Sequence, residues 1–282
     1  MTDFLEAVQK YRFLSHALLA GVLASVACGV VGTYVVTRRI SYIAGAISHS
    51  VLGGMGIAYY LSRKHHLQFI HPIFGAIAAA LLSAVLIGWV SLRGKQREDT
   101  VIGAIWAIGM ALGIICISAT PGYNEDLMSY LFGNILLVST AELWLIGGLD
   151  LLVLTAVFFF YNQFLAVCFD EEFARLRGIR VEFYYLLLLC LVALTVVILV
   201  SVVGIVMVIA LLTLPAAVAG HFTRTLRQMM TLATVCCAVF CALGLALSFS
   251  PELPAGAMII VVAGAAYLVV AFLPRLFKRQ SS

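Results

Sequence analysis

Apolar runs of about twenty residues alternate with short polar clusters along nearly the whole chain. They read as spans near 14–36, 40–61, 72–92, 100–120, 141–163, 182–202, 203–219, 229–249 and 254–274. Runs of this length match the roughly 20 helical residues that cross a hydrocarbon core about 30 Å thick. The segment 182–219 is irregular, because its 38 residues must supply two crossings, interrupted by Gly204 and closed by Pro215. At about 1.5 Å per residue, one of the two helices is expected to be short or broken. Broken helices at membrane depth are tolerated only against protein or a water-filled cavity, so this region is expected to line a passage. The pattern predicts an all-α polytopic membrane protein, residues 1–282 forming a single transmembrane domain with eight or nine helices.

Two polar stretches differ from ordinary connections. In Asp170–Ile179 the acids come first, the bases last, and Gly178 closes the run, as suits a short helix with its dipole and C-cap satisfied. Its apolar residues Phe173, Leu176 and Ile179 recur at helical spacing. Leu214–Arg227 passes from a span through Pro215-Ala216-Ala217 into a basic amphipathic stretch. Either is an interfacial helix or a docking element for another protein.

Composition agrees. Hydrophobic residues make up 63% and charged residues 11% of the chain, against roughly 25% charged in a soluble domain. The net charge of +4 is distributed unevenly. With nine crossings, one face carries Arg38, Arg39, Arg93, Lys95, Arg97, Arg175, Arg177, Arg180, Arg224, Arg227, Arg275, Lys278 and Arg279, and the other only Lys10, Arg12, Arg63 and Lys64. Excess Lys and Arg mark the cytoplasmic side, so the N-terminus is expected outside and the C-terminus inside. Residues 1–12 lack the basic and apolar regions of a cleaved signal peptide, so the first span is expected to direct insertion. The seven cysteines fall in spans or near the inner face, and Cys236, Cys237 and Cys241 form no CxxC pattern. They read as small helix-packing residues. Gly109 and Gly113 form a GxxxG pair that favours close helix approach.

The candidate chemistry centres on His49, which stands inside the apolar, glycine-rich run Ala46–Gly54. An ionisable group within a span is costly, and imidazole is the commonest transition-metal ligand, so His49 reads either as a pathway ligand or as a hydrogen-bonded interhelical histidine. Asp150, among Gly147, Gly148 and Leu151, is a second intramembrane ionisable group that needs a partner or a proton. His65, His66 and His71 fall in an outer loop, where they form a metal-collecting lip or are ordinary solvated histidines. Glu125, Asp126 and Glu252 also fall outside, at the mouth or against a delivering protein. The runs Phe158–Tyr161 and Tyr184-Tyr185 read as interface anchors. Trp89, Trp106 and Trp144 do not cluster in sequence and carry no site argument.

Six blocks together resemble the permease subunits of bacterial ATP-binding-cassette importers for zinc, manganese and iron. These are Arg38–Gly53, Glu98–Gly103, Asp126–Asn134, Phe173–Gly178, Val203-Gly204 through Leu214–Ala217, and Pro251–Gly256, in the family's order across roughly 15–274. The arrangement is also similar to the later part of the cobalamin-importer type of permease, with one early span missing.

The resemblance implies a homodimer around a central pathway, completed by two cytoplasmic ATP-binding subunits and an extracytoplasmic metal-binding protein. It implies no permanently bound cofactor and no nucleic-acid partner; the transported divalent metal, membrane lipid, and ATP on the partner subunits are the ligands. The chain has no GxxxxGK[ST] phosphate loop, so it is not expected to hydrolyse ATP itself. The resemblance places ATPase coupling at about 216–228, with Ala217, Gly220, His221, Phe222, Arg224 and Arg227, and a second contact at 170–180 through Glu172 and Arg175.

One position departs from the family. An Asp commonly stands four residues before the span-two histidine, where it shares a helix face with the imidazole. Here that residue is Gly45. A metal would then rely on His49 and Asp150, with Ser48, Met55 or Met207 as weaker contributors. The departure also keeps open a different cargo of the same importer class, such as a metal chelate. A membrane-embedded metalloenzyme is the rival from another class, and no HExxH or paired intramembrane carboxylate motif supports it.

Overall fold

The computed structural model describes residues 6–8, 10–64, 72–93, 98–120, 133, 135–249 and 253–278. Among these described residues, from Arg12 onward, ten α-helices follow in order: α1 Arg12–Arg38, α2 Ser41–Lys64, α3 Pro72–Arg93, α4 Glu98–Ser118, α5 Thr140–Phe169, α6 Glu171–Leu176, α7 Val181–Val203, α8 Ile205–Phe222, α9 Leu226–Phe249 and α10 Ala255–Lys278. A 3-10 turn, Ile135–Leu137, precedes α5.

Eight of these helices are long and apolar enough to cross a bilayer. The ninth long helix, α2, is not among them, because serines, glycines and His49 dilute its hydropathy. It is instead enclosed by protein: Ile43–Ser48 and Ser50–Gly54 are buried. The nine long helices coincide with the nine apolar runs.

Two groups of helices build the bundle. In one, α2 packs against α3 and α4; in the other, α1, α8, α9 and α10 pack together. Between them α7 touches α1, α2, α3 and α5. It is the most apolar of the spans and is buried over most of its length, as a helix surrounded by helices should be.

Small residues set the close approaches. A methyl carbon added at Gly53 would lie 2.6 Å from the Gly109 carbonyl oxygen, and one at Gly56 would lie 2.8 Å from that of Gly113. The GxxxG pair of α4 therefore seats directly on α2. Gly54 and Gly75 meet in the same way between α2 and α3.

Caps define several ends. Ser139 and Glu142 form a reciprocal capping box at the start of α5. Asp170 caps α6 by accepting from the Phe173 amide at 2.9 Å. Arg39, at φ 59°, ends α1 in a left-handed conformation.

The irregular segment is resolved as 23-residue α7 and 18-residue α8, separated only by Gly204. The shorter helix spans about 27 Å. Gly204 has φ 78°, a left-handed value that glycine adopts without a Cβ clash. Gly133, also at positive φ, rests against the Val203–Gly204 backbone so closely that no side chain fits between them.

Pro215 does not close a helix. It lies inside α8, which runs on to Phe222, so 216–228 is the last turns of α8, a short turn, and the start of α9 rather than a separate helix. Pro215 forfeits one backbone bond, while Ala216 and Ala219 let α8 sit tightly against Ala233 of α9 and carry the helix through.

One end of the bundle gathers the basic side chains. There Arg38 donates to the Val167 carbonyl at 2.7 Å and pairs with Glu171, its guanidinium 5.1 Å from the Tyr185 ring. At the same end Arg175 pairs with Glu182 at 2.9 Å, and Arg227 lies over Tyr161.

Candidate functional site

His49 lies about a third of the way along α2, half-buried, with its ring stacked on the indole of Trp106 from α4. The centroids are 4.4 Å apart and the planes 20° from parallel. The α2–α4 glycine contacts one turn away bring the backbones close enough for that stack. Nδ1 is sealed from solvent and has no hydrogen-bond partner among the described residues. The ring as a whole is partly exposed, and the indole limits its rotation. An accessible neutral imidazole nitrogen is a metal ligand or a proton acceptor.

Gly45, one turn before His49, faces the same indole. A Cβ there would lie 3.0 Å from both Trp106 and the Ile209 side chain of α8. The two apolar groups fill the space where a side chain of residue 45 would stand. Trp106 was invisible as a site residue in the sequence: it lies 57 positions from His49, and the close α2–α4 approach at Gly53, Gly56, Gly109 and Gly113 brings them together.

The other predicted contributors are placed unequally. Ser48 is buried and donates its hydroxyl to the Gly45 carbonyl at 2.7 Å. Its lone pairs remain, but its proton is committed within α2. Met207 is fully buried in the core of α8, and Met55 is half-buried on α2.

Asp150 is only 4% exposed, and neither carboxylate oxygen has a hydrogen-bond partner among the described residues. It shares a face of α5 with Ile146, Val153 and Val157, and α5 packs against α1 and α7. No hydrogen bond, ion pair or ring contact joins it to His49 among the described residues.

The described residues bring together no group of three or more His, Cys, Asp or Glu side chains able to hold a metal ion. His65, His66, His71, Glu125, Asp126 and Glu252 lie outside the described residues.

At the basic end, α6 projects as a short rigid helix. Asp170 caps it, and Arg38 anchors it through Glu171. Arg175 ties it to the start of α7 through Glu182. Phe173 is half exposed and Leu176 is 87% exposed, an apolar tip on a charged base. Beside the end of α8, Phe222 is also exposed, while the His221 Nδ1 lies 2.9 Å from the Ala217 carbonyl. Gly220 packs against the Met229 side chain, and Arg224 and Glu172 reach outward from this end.

Comparison with known proteins places this architecture. The profile of the ABC 3 transport family matches residues 10–274. A probable metal transport system membrane protein of Chlamydia trachomatis is 41% identical over 95% of this chain and 91% of its own length. The manganese transport system membrane protein MntC of Halalkalibacterium halodurans is 34% identical over 96% of this chain and 91% of its own. Among solved structures, PsaBC from Streptococcus pneumoniae in complex with Fab superposes with a TM-score of 0.85 at 32% identity, covering 95% of this chain and 94% of that one. With its helices, their order and nearly its whole length accounted for, this chain belongs to the ABC 3 transport family as a multi-span membrane permease.

Proposed function

We propose that this chain forms the membrane passage of an ATP-driven importer for a divalent transition-metal ion, manganese first among the candidates, with His49 as its ligand on the route. The observation that carries this is the imidazole itself: it is stacked on Trp106 among buried residues of α2, with Nδ1 sealed and the ring partly exposed. Manganese is the cargo named for relatives that cover nearly the whole chain. It also stands lowest in the usual affinity order of divalent first-row metals, so a single imidazole holds it weakly. Weak holding suits a passage, where an ion must enter and also leave. Zinc and iron would bind the same nitrogen more tightly.

A complete importer on this reading contains a second copy of the chain, two cytoplasmic ATP-binding subunits and an extracytoplasmic metal-binding protein. The basic end is then cytoplasmic and the N-terminus outside. Closure of the ATPases would press on α6 and on the α8–α9 turn, and α7 and α8 would transmit the motion to the Gly204 break.

A metal chelate is the second reading, and one observation favours it. Trp106 and Ile209 fill the space over buried Gly45, so no carboxylate stands there beside His49 to hold a bare cation.

Uptake of radioactive manganese into proteoliposomes holding the full complex tests the proposal. His49→Ala should abolish uptake while leaving ATP hydrolysis measurable. Normal uptake by that variant would remove His49 from the route. Competition by zinc and iron ranks the ions, and uptake of a chelate in preference to free ion would select the second reading.

A further inference from the structure

A lateral furrow of about 660 Å³ lies between α1, α5 and α9 near the basic end of the bundle. Val30, Leu154 and Met230 give it apolar walls, while Tyr161, Asn162 and Arg227 stand together at one end. We propose that this furrow holds an anionic phospholipid, an acyl chain along the apolar wall and the phosphate on Arg227 and Asn162.

The charge distribution selects this occupant. Arg227 is exposed and has no carboxylate partner among the described residues. Its guanidinium lies over the Tyr161 ring, 4.7 Å from the centroid. That holds it against α5 at the mouth of the furrow. Stacked in this way, it still presents N–H donors, and a phosphodiester matches that donor geometry.

Asn162 points the same way. It is exposed on α5, one turn from Phe158 and Phe159, which are also exposed. No hydrogen bond reaches its carboxamide from a described residue. It stands seven residues before the end of α5, about 10 Å along the axis, at the end of the apolar run 141–163. A carboxamide facing pure hydrocarbon there is costly, and a headgroup removes the cost.

A second furrow, under α6, meets the first at Asn162 and adds Arg177. Its only acid among the described residues, Asp170, already caps α6. Basic pockets between membrane helices are suited to anionic lipid headgroups for these reasons. The proposal depends on the chain spanning a bilayer and not on the role of His49.

The test is native mass spectrometry of the full-length chain, delipidated and then offered phosphatidylglycerol or phosphatidylcholine of matched acyl length. One phosphatidylglycerol per chain should survive activation, ahead of phosphatidylcholine. Arg227→Gln should weaken that retention about fivefold, the contribution of one basic residue near an anionic lipid, and Arg227→Lys should restore part of it. Leu154→Trp, which fills the apolar wall and leaves the arginine in place, should also evict the lipid, so a poorly folded Arg227 variant does not end the test. Equal retention by the wild type and Arg227→Gln overturns the proposal, as does equal retention of the two lipids. A Phe158→Cys variant that cross-links efficiently to a second copy or to another subunit would also overturn it, because protein would then fill the furrow.

Discussion

The Trp106 indole stands in the space over Gly45, where an added methyl carbon would lie 3.0 Å from its ring. The same indole stacks on His49 one turn further along α2. A small residue at 45 and a large one at 106 are therefore one packing solution, and changing either alone should carry a cost.

Gly45→Asp by itself is expected to lower thermal stability, since overfilling a packed site costs roughly 1–3 kcal/mol. In a Trp106→Ala background the carboxylate fits and shares a helix face with His49. The double variant should then regain stability and show a lower KM for manganese uptake. Strictly additive losses in melting temperature and uptake would refute the packing link.

The α2–α4 contact should be intolerant of bulk. Gly113→Leu would drive a side chain into the Leu52 backbone, 2.9 Å from where a Cβ would stand. The helices must separate, and the His49–Trp106 stack separates with them. Expected are a loss of about 1–3 kcal/mol of stability and reduced Trp106 fluorescence quenching by the histidine. Gly103→Ala, at a position with open space around it, is the matched control and should behave as the native protein.

Arg38 anchors α6 through Glu171 and the Val167 carbonyl. Both partners are partly exposed, at 19% and 39% of their side-chain area, so screening reduces the ion pair's worth to about 0–1 kcal/mol. The consequence is therefore expected in coupling more than in stability. Arg38→Ala should leave the melting temperature nearly unchanged while weakening cross-linking of Leu176→Cys to the ATPase and lowering uptake per ATP hydrolysed. Unaltered coupling would show that α6 needs no anchor.

Asp150 is buried without a hydrogen-bond partner among the described residues, on a helix face turned to α1 and α7. Asp150→Asn preserves the shape and removes the ionisable group. Manganese uptake by this variant is expected to match the native protein. A large loss, with folding intact, would place a carboxylate on the ion route that His49 alone does not explain.

The helices were legible because hydropathy is a local quantity. Each apolar run is long enough to cross the membrane, backbone bonds inside hydrocarbon must be satisfied within the helix, and the nine long helices follow from that. The short α6 was legible for a similar reason, since Asp170, Arg175 and Gly178 carry its cap, dipole and stop signals in order. The extent of α8 was not: proline ordinarily signals a stop, but interhelical packing of Ala216 and Ala219 outweighed the one bond lost at Pro215.

By itself the sequence determined where the chain crosses the membrane, which end is basic, and that His49 is the ionisable ring set in an enclosed helix. Tertiary structure alone decided what stands beside that ring. The spacing of Gly53, Gly109 and Gly113 lets α2 and α4 touch, which brings Trp106 over Gly45 and His49, while Asp150 is buried on α5 against other helices. Contacts between helices depend on how side chains from distant segments share volume, and no local run of residues records that.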